Sequence, residues 1–142
     1  MGRYYHGDIE GKFWFAVQSS QDADFFGSEG TASHLHYYFD EDHKKDVHKG
    51  ILECDRKLHK YKKLLDEFFE SREGYNNKML KDFLDEKMHP HDHFETEVKY
   101  YLEWYARRHL GKKIYDCINE NGECSFEAEL WSIILIYVVA LV

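Results

Sequence analysis

The sequence predicts an α+β domain spanning residues 1–142, in which a small N-terminal antiparallel sheet packs on three to four helices. Three observations carry this. Residues 1–40 are rich in aromatics, glycine and alternating polarity, whereas residues 41–142 follow a helical period. Aromatic residues make up 17% and apolar residues 43% of the chain, enough to build a core and too much for a disordered segment. The set Val47, Ile51, Cys54, Leu58, Tyr61, Leu65, Phe68 repeats at 4-3-4-3-4-3 spacing, which places one apolar side chain per half-heptad along a single helix face.

The elements follow in order. Gly7, Asp8 and Gly11 predict a hairpin turn between "RYYH" and the run "KFWFAVQ". Residues 12–18 alternate Phe13, Phe15, Val17 against Trp14, Ala16 and read as a strand buried on both faces. Residues 19–32 read as a loop with at most one helical turn. A third strand is expected over 34–39, with Leu35, Tyr37 and Phe39 on one face and His34, His36 and Tyr38 on the other. "DEDH" at 40–43 suits a helix start, because carboxylates cap and complement its positive end.

From there one long helix is predicted over 41–72, its stripe widened by Leu52, Leu64 and Phe69 and weakened at Gly50. A short helix follows Asn77, with Met79, Leu80, Phe83 and Leu84 inward. His89-Pro90 ends it, since proline disfavours helical backbone in the residue before it. The next helix is expected over about 93–110, interrupted at Gly111 before Ile114, Tyr115 and Ile118, with a turn at 119–123. The last segment has β-branched residues but no turn signal after Ser125. A strand of that length would outrun the domain, so a helix capped by Ser125 is expected, with Glu127 and Glu129 in its first turn.

Charge limits the function classes. The net charge is −8, and no Lys or Arg follows Lys113. This argues against phosphate backbones and anionic membranes as partners, both of which need a cationic patch. The mixed-sign cluster Lys44, Lys45, Lys49, Arg56, Lys57, Lys60, Lys62 and Lys63 reads as a solvated helix face. The uninterrupted apolar run from Leu130 to Val142 falls short of the roughly 20 residues a membrane span needs. Three cysteines without metal spacing, and an N-terminus without an apolar stretch, point to a reducing, cytoplasmic setting. A Cys117–Cys124 bridge is the alternative that spacing allows.

The candidate chemistry is imidazole. Two His-x-His elements, His34/His36 and the "HPHDH" run with His89, His91 and His93, put rings on one side of extended chain, as Zn or another transition metal requires. His6 or Asp40 is a candidate further ligand. The plainer reading is that Pro90, Asp92 and Glu95 mark a helix start, and that His34 and His36 belong to a polar sheet face. Asp22/Asp24 and Asp40/Asp42 lack a glycine-punctuated calcium loop. No phosphate-binding, nucleophile-elbow or H-E-x-x-H motif occurs.

The run "GDIEGKFWFAVQSSQDADFFG" (7–27) resembles the opening of uncharacterised proteins encoded by large marine or algal viruses. The resemblance implies a viral or environmental origin and a place inside the host cell. It implies no activity and transfers no functional residue. The expectation is therefore a non-catalytic acidic binding or accessory module without a cofactor, working with a protein partner or as a homo-oligomer. The alternative is a small histidine-rich metal protein or metal-dependent enzyme.

Overall fold

The computed structural model describes residues 3–14, 17–30, 35–70, 77–87 and 94–129. Four strands, β1 (Tyr4–Gly7), β2 (Gly11–Lys12), β3 (His36–Asp40) and β4 (Glu123–Ala128), form one antiparallel sheet in the order β2-β1-β4-β3. Four helices, α1 (Lys44–Leu58), α2 (Tyr61–Glu70), α3 (Asn77–Lys87) and α4 (Phe94–Asn121), complete the α+β fold. The sheet is thus not wholly N-terminal. Its inner strand β4 comes from the far side of all four helices.

That strand corrects the helix expected from Ser125 onward. Cys124, Phe126 and Ala128 alternate inward while Glu123 and Glu127 face solvent, the period of a half-buried strand. Residues 130–142 lie outside the described residues. The strand expected over 12–18 is also shorter. β2 ends at Lys12, and the N–H groups of Val17 and Gln18 both donate to the Trp14 carbonyl, which turns the chain. The hairpin between β1 and β2 forms as expected, with Tyr4 opposite Lys12. β3 starts at His36 rather than 34 and keeps the predicted faces there, with Tyr37 and Phe39 buried and His36 and Tyr38 exposed. Leu35, just before it at φ 42°, is buried, and His34 lies outside the described residues.

Asp40 caps the next segment. Its carboxylate accepts from the N–H groups of Asp42 and His43, while its own N–H donates to His43 Nδ1. The expected long helix is broken into α1 and α2 at His59, whose φ of 54° is incompatible with continuing helix. The stripe survives the break: Val47, Ile51, Cys54, Leu58, Leu65 and Phe68 are all buried in the chain's own core. Leu52 is not part of it and is 53% exposed, and Met79 of α3 also faces outward. α4 runs unbroken through Gly111.

Gly111 has a steric reason. A Cβ there would lie 2.4 Å from Phe26, and a Cβ at Gly50 would lie 2.7 Å from the same ring. The two glycines open a notch between α1 and α4, and Phe26, at the end of a 3-10 turn (Asp22–Phe26), fills it.

The sheet's inner face meets α1 and α4 in one cluster that includes Tyr5, Tyr37, Phe39, Val47, Ile114 and Phe126. Phe126 stacks on Tyr37 at 5.3 Å. A second cluster joins Leu58, Leu65, Phe68, Leu80, Leu84, Leu102 and Tyr105, and Trp104 packs against both. Among the described residues, no helix is long and apolar enough to cross a membrane.

Candidate functional site

Among the described residues, helices cover one face of the sheet and leave its other face open. Strand alternation sends Tyr4 and His6 of β1, Glu123, Ser125 and Glu127 of β4, and His36 and Tyr38 of β3 to that side. The register aligns them in rows. Glu127 stands directly opposite His6 on β1 and directly opposite His36 on β3. Ser125 stands opposite Tyr38.

The polar groups on this face are lightly tied. His6 Nε2 lies 3.7 Å from Glu127 Oε2, beyond hydrogen-bond length. His36 Nε2 lies 3.0 Å from Ser125 Oγ. The Tyr38 hydroxyl donates to Glu123 at 3.1 Å, and this carboxylate partner raises the phenol's pKa. Tyr4 and Tyr38 are each about half exposed, at 48% and 46%. Asp40, Glu123, Glu127 and Glu129, against Lys12 beside Tyr4, leave this side of the sheet acidic on balance.

Of the two His-x-His elements, His36 alone falls on described residues, as do the further candidates His6 and Asp40; His34, His89, His91 and His93 lie outside them. Among the described residues, no three histidine, cysteine, aspartate or glutamate side chains converge on one point as they stand. Glu127 was not legible as a site residue while its segment read as a helix. The signal available was the alternation Cys124-Ser125-Phe126-Glu127-Ala128.

The other acidic pairs have structural work. Asp22, in the segment that reads as a loop, is buried and accepts from Arg107 at 2.6 Å and from Gln18 at 2.9 Å. Burial pushes its carboxyl pKa up, and the Arg107 guanidinium opposes that shift. Arg107 reaches Glu103 as well and lies 4.4 Å from the Trp104 ring centre. Asp24 accepts from the Tyr37 hydroxyl at 2.5 Å. These bonds anchor the 17–30 loop on α4 and β3. Asp40 is the cap described above.

Cys54, Cys117 and Cys124 are free thiols, without the bridge that spacing allowed. Burial pushes the Cys54 thiol up to about 12, so it stays protonated and unreactive at neutral pH. A cleft of about 290 Å³ lies between the β1–β2 hairpin and α4, lined by Asp8, Glu10, Lys113, Asp116, Cys117 and Glu120 among others. Lys113 is held there by the Tyr5 hydroxyl and the Glu10 carbonyl.

The basic cluster of the helix pair is largely absorbed. Arg56 pairs with Glu53 and Lys62 with Asp66, while Lys57 lies over Trp104 and Lys44 over Tyr115. Comparison with known proteins finds no matching family model, no matching curated protein and no matching solved structure.

Proposed function

We propose that this chain is a non-catalytic binding or accessory module of the cytoplasm, and that its working surface is the open face of the sheet. The carrying observation is that face: tyrosines and histidines in cross-strand rows, flanked by carboxylates, on a sheet whose other side is locked to helices. Tyrosine and histidine offer ring area and hydrogen bonds at low conformational cost, as partner surfaces do. The carboxylates select a partner bearing Lys or Arg and steer its approach. Three free thiols support a reducing compartment. Among the described residues, the apolar stripe of α1 and α2 lies largely in the chain's own core, which supports the sheet face over the stripe as the partner surface.

The test is a peptide array probed with purified protein in EDTA. Peptides carrying Lys or Arg beside aromatic residues should be selected over acidic scrambles, with binding that weakens from 50 to 300 mM salt, as the Debye length falls from about 14 to about 6 Å. The Tyr38→Ala/Glu123→Lys variant should lose that selection while keeping its circular dichroism spectrum. Equal binding of basic and acidic peptides, or none, would refute the proposal.

A further inference from the structure

We infer that His6, Glu127 and His36 together form a binding site for a divalent transition metal of the zinc type, seated above the middle of the open sheet face. The placement follows from the backbone. The Asp8 N–H donates to Ser125 O and the Glu129 N–H to Tyr4 O, which makes His6/Glu127 a hydrogen-bonded pair of β1 and β4. The Ala128 N–H donates to Leu35 O, which makes His36/Glu127 a non-hydrogen-bonded pair of β3 and β4.

Such pairs have Cα separations of about 5.5 and 4.5 Å, so the two histidines stand about 10 Å apart with the glutamate between them. Each imidazole then covers about half that span, within reach of a histidine side chain plus a Zn–N bond of about 2 Å. Glu127, standing between the two histidines, is the third donor once the side chains turn toward that point.

The donor set is two imidazoles and one carboxylate. This set suits zinc and leaves a coordination position open to water or a partner's side chain. All three groups can turn to meet a metal. His6 and Glu127 are 60% and 52% exposed at the side chain, and their contact is too long for a hydrogen bond. His36 has to leave only its exposed contact with the Ser125 hydroxyl. Asp8, two residues on from His6 at the end of β1, adds negative potential that favours a dication. The site differs from the two His-x-His elements of the sequence: it uses one member of one pair and two residues of other strands. It does not rest on the peptide-binding proposal, whose test is run in EDTA.

The test is equilibrium dialysis of untagged protein against ZnCl2 at pH 7.5, paired with the visible absorption of bound Co²⁺. One equivalent should bind. His6→Ala, His36→Ala and Glu127→Gln should each weaken binding by about tenfold or more, since even outer-shell changes cost that much. They should also abolish the cobalt band, and the metal-free variants should melt as the parent does. The His89→Ala/His91→Ala/His93→Ala variant should bind as the parent. No bound zinc, binding unchanged in the three single variants, or binding lost only in the triple variant would each overturn the inference.

Discussion

Phe26 is 0% exposed because two glycines on different helices give it room. Each glycine looks like a flaw when its helix is considered alone, costing about 1 kcal/mol relative to alanine. Together they let α1 and α4 close on one ring. Gly111→Ala should therefore destabilise the protein, because overpacking a tight core costs about 1–3 kcal/mol and outweighs the gain in helix propensity. Urea unfolding midpoints should show this loss, and Phe26→Leu, by vacating the contact, should shrink it in the double variant. An unchanged midpoint would show that the notch is slack.

His109 is a second residue-scale case. Its ring lies 4.7 Å from Tyr105 and 6.5 Å from Trp14. Burial of the ring, then the Arg108 charge, push its pKa below the ordinary 6.5. The unfolded chain therefore takes up a proton first as pH falls. The stabilisation is fully present above pH 6.5 and is lost as pH drops through the lower folded value. Unfolding free energies measured from pH 7.5 to 5 should decline, and His109→Gln should flatten that decline. An identical slope in the variant would assign it elsewhere.

At the scale of elements, what could be read from sequence depended on whether neighbouring signals agreed. The stripe from Val47 to Phe68 was legible because burial needs only its period, and the break at His59 leaves that period intact. β3 was legible for the same reason. β4 was not. Its alternation is only six residues long, and it runs without a turn signal into an apolar stretch whose length favours a helix. Gly111 misled in the opposite direction, since its reason lies on a ring eighty-five positions away in sequence. The site inherited these errors. His36 was found on its strand, whereas Glu127 became visible only once β4 was known to pair with both β1 and β3.

For the whole molecule, the arrangement ranks its parts by how firmly they are held. β4 pairs on both sides and is backed by α4, whereas α3 meets the remainder chiefly through α2. Amides lose exchange protection through local opening where tertiary support is thin, and through global unfolding where it is dense. Native-state hydrogen exchange should find the β4 amides of Phe126 and Ala128 among the slowest and those of α3 among the faster helical ones. Equal protection in β4 and α3 would mean that the two open as one unit.

The position of β4 in the sheet also shapes how the protein is made. Its two flanking strands emerge from the ribosome early, and the partner they share is translated only after all four helices. At about 5–20 residues per second, the delay between Asp40 and Glu123 is roughly 4–17 s. During that time the nascent β1 and β3 have no β4 to pair with, and their aromatic faces, Tyr5, Tyr37 and Phe39, lack Phe126. Those strands stay unpaired on β4's side until Glu123–Ala128 arrives, the condition under which edge-to-edge aggregation competes with folding.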